Sequence, residues 1–343
     1  MLYFHNDYNE MCHESVLESI SRCAGEKVTG YGRDHWCELA AQKIRNACHN
    51  EDLQVHFLVG GTQSNLTVID ACLRPHQGVI SADTGHIHVH ETGSIEACGH
   101  KILALPTADG RLTAAQVEKV ILAHLADNDA EHTVQPKMVY ISNPTELGTI
   151  YHKEELRALH DVCRKYGLYL FMDGARLGYG LTARDNDLTL KDLAELTDVF
   201  YIGGTKCGAM FGEAVVFSNA FIAEDFRYLI KQHGGMLAKG WLLGVQFAAL
   251  MENNLYFDIC RHANEQADAI RQTIIECGYS LLTNTTTNQV FPVLPDALLD
   301  ELKEKVTFTE QCRVSDTTRA VRFCTSWATT DENVERLCDF IRG

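Results

Sequence analysis

From residue 54 to residue 218 the chain alternates between short apolar runs and amphipathic stretches, and this rhythm constrains its fold more tightly than any other feature. The runs QVHFLV (54–59), GVIS (78–81), HKILALP (100–106), KMVYIS (137–142), LYLFMD (168–173), DVFYIGG (198–204) and EAVVFS (213–218) read as buried strands. Helical patterns separate several of them: TQSNLTVIDACL, TAAQVEKVILAHL, KEELRALHDVCRKYG with a capping glycine, and LTLKDLAELT. Strands and helices taking turns at this spacing predict an α/β fold with a mostly parallel sheet covered on both faces.

After about residue 245 the rhythm changes. A long helical segment, FDICRHANEQADAIRQTIIECG, leads into shorter strands such as NQVFPVL and RAVRFCT, then a terminal helix DENVERLCDFI. A chain of 343 residues is more than one core usually fills. The expected organisation is a large domain over 1–250 and a smaller α+β domain over 251–343, with no flexible linker at the boundary.

The net charge of −16 argues against a nucleic-acid partner, since such a surface repels phosphate backbones. Thirteen cysteines without a C-x-x-C pair point away from zinc ribbons and towards small core residues in a reducing, cytoplasmic setting. MLYFHNDYNEM lacks the basic start and apolar run of a signal peptide, and GWLLGVQFAALM is too short to span a membrane.

In open α/β sheets ligands bind beyond the carboxyl ends of the strands. Those ends carry GGTQSN, then ADTGH up to His86, NPTE, Asp173 within DGAR, and GGTK up to Lys206. The glycines of GGTQSN allow close backbone approach, and the helix start that follows attracts an anion. Neither G-x-G-x-x-G nor a Walker loop is present, so a single phosphate fits better than a pyrophosphate. Taken alone, this is equally a plain strand-to-helix turn. Asp173 ends an apolar strand, where a carboxylate needs a cation or donors; with Arg176 it is either a structural pair or a partner for a protonated ring nitrogen. Lys206 follows a buried strand between glycines, which suits Schiff-base chemistry, although alone the ordinary reading is a lysine reaching solvent. Together, a phosphate cradle, a carboxylate for a pyridinium and an amine for an aldehyde describe pyridoxal 5'-phosphate.

The stretch DTGHIHVHETG sets His86, His88 and His90 at alternate positions. As a strand it would put all three on one face; as a helix it pairs His86 with His90. A metal site needs ligands converging from several elements, and no Asp, Glu or Cys set shows such spacing, so no metal is expected.

FHNDYNE, GYGRD, GGTQSN, GHIHVHETGSIEA, DGARLGYG, GGTKCGAMFGEA and VRFCTSW, in that order, resemble the low-specificity L-threonine aldolase family, pyridoxal-phosphate enzymes of fold type I within the β-eliminating-lyase superfamily. The resemblance covers nearly the whole chain. It implies an aspartate-aminotransferase-like fold with a seven-stranded-type sheet. It implies Lys206 as the amine that binds the cofactor covalently, Asp173 at the ring nitrogen and Arg176 near the phenolic oxygen. Gly61, Thr62 and Gln63 would hold the phosphate, and His86 would stack on the ring. Arg322 would grip the substrate carboxylate, a bidentate task suited to guanidinium, with Asn6 beside it. A homodimer or homotetramer is implied, in which Tyr31 reaches a neighbour's site. Many relatives have serine where Asn6 stands, SKG where this chain has TKCG, and arginine at Leu237, which leaves Lys231 as a substitute phosphate ligand.

The activity implied is aldol cleavage of β-hydroxy-α-amino acids such as L-threonine and L-allo-threonine to glycine and an aldehyde. Arg322 would orient the substrate so that Cα–Cβ breaks, and His86, directly or through water, is the expected base, with His88 and His90 as alternatives. Glu91 would orient the histidines. The alternatives are an amino-acid β-lyase, racemase or aminotransferase on the same cofactor, a non-catalytic scaffold, and a metal-dependent hydrolase using the histidines.

Overall fold

A computed structural model describes residues 1–343. After a two-residue strand β1 (Leu2–Tyr3) come β2 (Gln54–Leu58), β3 (Gln77–Ala82), β4 (Lys101–Leu105), β5 (Gln135–Ser142), β6 (Tyr169–Asp173), β7 (Val199–Gly203) and β8 (Glu213–Phe217). These last seven form one sheet in the order β2-β8-β7-β6-β5-β3-β4. Neighbours run parallel except at β8, which is antiparallel to both β2 and β7. The reason is length: residues 204–212 join β7 to β8, and a parallel crossover needs a dozen or more residues.

Alternate side chains of each strand feed separate cores. Leu170 and Met172 of β6, with Phe200 and Ile202 of β7, enter a 39-residue cluster on one face. Phe171, Val199 and Tyr201 enter a 19-residue cluster on the other. Burial on both faces is why these strands read as continuous apolar runs.

The remaining strands are β9 (Ser280–Leu281), β10 (Gln289–Val290), β11 (Pro292–Pro295), β12 (Val306–Thr307), β13 (Thr309–Arg313) and β14 (Thr318–Cys324). Antiparallel pairing around β14 makes the smaller sheet. The helix Leu255–Glu276 serves both halves: Tyr256, Ile259, Cys260 and Ala263 sit in the 39-residue core, whereas Ala267, Ile270 and Ile274 sit in a 16-residue core beneath the smaller sheet. One continuous helix thus replaces a linker. The N-terminus also crosses over. β1 pairs with β12, and Leu2 and Phe4 belong to the C-terminal core.

Two helices precede the alternating pattern, Glu14–Arg22 and His35–Cys48. The second carries a legible start signal, since the Asp34 side chain accepts the Cys37 N–H at 2.8 Å. No helix is long and apolar enough to cross a membrane.

The junction of β6 and β7 is tight. Gly203 N–H donates to Gly174 O at 2.9 Å, and a Cβ on Gly174 would stand 1.8 Å from Tyr201 O. Gly174→Ala should therefore cost at least about 1–3 kcal/mol in urea unfolding. Gly25→Ala, with nothing within 4 Å of the added carbon, should stay within about 0.5 kcal/mol of the parent. Equal midpoints for the two variants would refute this account of the junction.

Candidate active site

The carboxyl ends of the parallel strands converge on one edge of the large sheet. Because β8 is antiparallel, its first residue Glu213 lies opposite Gly203 at that same edge. A cavity of about 300 Å³ opens there, bounded by Gly60, Gly61, Thr62, His86, Asp173 and Lys206. A second cavity of about 600 Å³ continues outward to Arg322 and His90. Tyr8, His86, Glu146, Arg176 and Lys206 line both.

The helix Gly61–Cys72 begins at this cavity with no side chain capping its first turn, so its free N–H groups form an anion cradle. A Cβ on Gly61 would stand 3.2 Å from the Tyr201 hydroxyl, so the backbone lies close to the cavity wall. The Gln63 side chain turns elsewhere. It accepts from Val59 N at 3.3 Å and donates to His233 O at 3.0 Å.

Asp173, 4% exposed, is held by four donors. Tyr201 Oη at 2.5 Å and Ala175 N at 2.9 Å meet Oδ1; Tyr140 Oη at 2.6 Å and Asn65 Nδ2 at 2.9 Å meet Oδ2. Burial pushes its pKa up, but the His86 charge and these hydrogen bonds outweigh burial and hold it below the ordinary value. Asn65 Nδ2 also donates to Glu91 Oε1 at 2.7 Å, where His86 Nδ1 donates at 2.7 Å. Burial disfavours a charged His86 ring, yet the Glu91 hydrogen bond and the Asp173 charge raise its pKa overall.

His86–Val89 is a short helix, not a strand. His86 and His90 accordingly neighbour each other, with ring centroids 5.6 Å apart, while His88 is exposed and lines neither cavity. Elsewhere, Asp70, Cys98 and His233 bring one ligand-type atom each within 4.8 Å of one another; Asp70 already takes a hydrogen bond from His233 Nε2 at 2.9 Å.

Lys206 lies in the turn after β7, its carbonyl accepting from Tyr179 Oη at 2.5 Å. Burial, helped by the nearby Arg176 charge, lowers its pKa against the pull of Asp7, Asp173 and Glu213. Arg176 makes a bidentate pair with Asp7, Nε–Oδ2 at 2.7 Å and Nη2–Oδ1 at 3.0 Å. Asn288 Nδ2 adds a third donor to Asp7 at 2.9 Å. Burial opposes the charge on Asp7, but Arg176 and Lys206 hold its pKa at about 2.

Arg322 on β14 donates to Gln289 Oε1 at 3.2 Å and His5 O at 3.0 Å. Asn6 lines neither cavity, and its Oδ1 accepts the Tyr8 N–H at 3.0 Å. Tyr31 lines a separate cavity with Arg227 and Leu237, and Lys231 Nζ stands 5.2 Å from its ring centroid.

Sequence reasoning missed Asp7, Asn65, Tyr140, Tyr201, Glu146 and Glu213. The tyrosines carried a signal, because a tyrosine inside a buried apolar strand needs a partner for its hydroxyl. Asp7 and Glu213 carried none; their partners are distant in sequence or meet across an antiparallel turn.

A family model described as beta-eliminating lyase matches residues 19–297. The chain is 30% identical to a low specificity L-threonine aldolase of Pseudomonas sp. (strain NCIMB 10558), with 98% of this chain and 96% of the relative covered. It is 29% identical to the corresponding Pseudomonas aeruginosa protein over the same shares. A solved structure of a Leishmania major threonine aldolase matches with a TM-score of 0.97 at 43% identity, covering 100% of this chain and 99% of that one. An aspartate aminotransferase of Thermus thermophilus matches in fold alone, with a TM-score of 0.74 at 15% identity over 100% and 91% of the two chains.

Glu213, 3% exposed, accepts the Gly204 N–H at 2.9 Å. Burial raises its pKa from 4.5 to about 8. A raised acid pKa gives stability that is fully present below pH 4.5 and is lost as pH climbs through about 8. Glu213→Gln, which keeps an oxygen for Gly204, should flatten the decline of Tm across that window. An unchanged decline would show that Glu213 is already ionised at neutral pH.

Proposed function

The chain belongs to the beta-eliminating lyases and, within them, to the low-specificity L-threonine aldolases, and on that footing we propose how its cavity performs the reaction. The protein is a carbon–carbon lyase that cleaves L-threonine to glycine and acetaldehyde.

The cofactor is pyridoxal 5'-phosphate, and the residues present fit it. The uncapped start of the helix Gly61–Cys72 offers N–H groups for the phosphate. Asp173 keeps a negative charge, and of its three side-chain donors Tyr201 lines the cavity, so this carboxylate would be the partner of a protonated ring nitrogen. Lys206 is the amine that would hold the cofactor covalently, its pKa lowered by burial so that the neutral, nucleophilic form is accessible. When bound, the cofactor supplies an aldehyde for amines and a ring that withdraws electrons from bonds at the adjacent carbon.

His86, its Nδ1 held by Glu91, would supply an aromatic face for the cofactor ring. Arg176, immobilised by Asp7, presents positive charge beside Lys206. Arg322 takes the substrate carboxylate from the outer cavity and so selects Cα–Cβ, among the bonds at Cα, for alignment with the electron sink. Thr62 and Gly61 would hold the phosphate, Gln63 would join them through its backbone only, and Asn6 would act by positioning Tyr8.

The division into 1–250 and 251–343 puts the cofactor site on the first unit and Arg322 on the second. Tyr31 lines a different cavity of its own subunit. A substrate role for it therefore requires a neighbouring copy, and we assign a homodimer or homotetramer. Thirteen unpaired thiols support a reducing, cytoplasmic location.

The observation that carries this reading is the meeting of Lys206, Asp173 and the uncapped helix start in one cavity. Cofactor-loaded protein should release glycine and acetaldehyde from L-threonine. Lys206→Ala should abolish turnover, and mass spectrometry after borohydride reduction should find no covalently attached cofactor. Full aldolase activity in that variant would end the assignment. Arg322→Ala should raise KM and lower kcat, cutting kcat/KM by at least about 30-fold, as expected for an unpaired buried charge. An unchanged kcat/KM would remove Arg322 from the carboxylate site.

A further inference from the structure

Cleavage of a β-hydroxy amino acid requires an acceptor for the hydroxyl proton. His86 is the residue the sequence suggests, but the structure makes it a poor one. Its Nδ1 is committed to Glu91 Oε1 at 2.7 Å and its ring is needed as the face over the cofactor; the same bond and the Asp173 charge raise its pKa, so it keeps a proton more readily than a free imidazole. His90 is exposed and reaches the outer cavity only.

The carboxylates of the site are mostly spoken for. Asp173 accepts four donors. Glu91 accepts His86 and Asn65 on one oxygen and Ser94 Oγ, at 2.8 Å, on the other. Glu213 lines the inner cavity alone and holds Gly204 N. Asp83 and Glu310 line the outer cavity only; Asp83 Oδ1 takes the Thr107 N–H and hydroxyl, each at 3.1 Å, and Glu310 pairs with Lys303 and Arg319. Glu146 differs. It lines both cavities, at their junction. Its Oε1 is anchored by His86 N–H at 3.0 Å and Ser142 Oγ at 2.8 Å, no other residue donates to Oε2, and that atom is not among the buried unpaired ones. A carboxylate fixed by one oxygen, with the other open to the space where substrate meets cofactor, is positioned for proton transfer.

We propose that Glu146 takes the β-hydroxyl proton as the Cα–Cβ bond of the substrate breaks, a role that rests on the aldolase reading above. The O–H bond breaks, its electron pair becomes the second bond of the aldehyde carbonyl, and the proton goes to Glu146 Oε2. The pair left at Cα is finally protonated to give glycine, so the proton lost by oxygen is matched by one gained at carbon. Oε2 then releases its proton to solvent through the outer cavity.

The electrostatics suit the task. Burial first, then the Asp173 charge, raise the Glu146 pKa against the opposing pull of Ser142, its own N–H and His86. Tyr140 and Tyr151 face the same carboxyl from β5 and the segment after it. Lys206, Arg176, Asp83, His90 and Glu213 and, from the smaller sheet, Arg322 and Glu310 are the further charged or titratable groups on the cavity walls. A carboxylate with a raised pKa is a stronger base near neutrality than an ordinary one, and it works only above that pKa.

The test is Glu146→Gln in cofactor-loaded protein, with an amide that keeps Oε1 as acceptor for His86 N and Ser142. We expect kcat for L-threonine to fall about 100-fold or more, with KM within about threefold and the acid limb of the kcat/KM profile lost. Glu146→Asp, which retains a carboxylate, should recover part of kcat. Independently of turnover, the infrared difference between the cofactor-free parent and Glu146→Gln should contain a protonated-carboxyl carbonyl component that fades as pH rises, distinct from the Glu213 component that Glu213→Gln removes. Full kcat in Glu146→Gln beside an active parent, or a difference without that component, overturns the proposal. An inactive parent overturns the aldolase reading and this role with it.

Discussion

A carboxylate buried at the end of a central strand must be surrounded by donors or lose its charge, and the architecture around Asp173 follows from meeting that demand. Its donors come from the helix after β2, from β5 and β7 on either side of β6, and from its own turn. Three neighbouring elements are thereby tied to one point. Asp7 repeats the arrangement with Arg176 and Asn288. Removing one partner from such a buried pair typically costs about 3–5 kcal/mol. Glu146 and Glu213 sit in the same site with few donors, and burial drives them the other way, towards the neutral acid. One cavity thus holds two kinds of carboxyl group, sorted by the number of hydrogen bonds they receive, and proton chemistry depends on such a split.

The two sheets contribute different things. The large sheet, packed on both faces, gives a rigid edge from which Lys206, Asp173 and Glu146 project. The smaller sheet brings Arg322 across from β14. The helix Leu255–Glu276, with one end in each core, fixes the distance between them. Precision at the reacting bond therefore rests on packing remote from the chemistry.

Much of this was legible in the sequence. The strands of the large sheet are apolar because both faces are covered, so their positions could be read within a residue or two. Asp173 and Lys206 stood out because charged residues at the ends of such strands need a reason. The antiparallel return of β8 was also readable, from the short span between β7 and β8. The rest depended on contacts that spacing does not encode. Asp7 lies far from Arg176 along the chain, and nothing in FHNDYNE announces a buried ion pair. Gln63 was expected to help hold the phosphate, but its side chain donates to His233 O, which leaves only its backbone for that task. The histidine triplet fits a strand or a helix equally, and the structure's helix separated His88 from His86 and His90.

The pairing of β1 with β12 has a consequence for biosynthesis. The first residues of the chain find several of their partners among its last, with Asp7 meeting Asn288 and His5 meeting Arg322. During translation the large sheet can assemble as it emerges from the ribosome, while the leading segment waits unpartnered for the trailing one. Asp7, the counter-ion of Arg176, is steadied by that late docking, so the pocket is completed after the sheet that carries it.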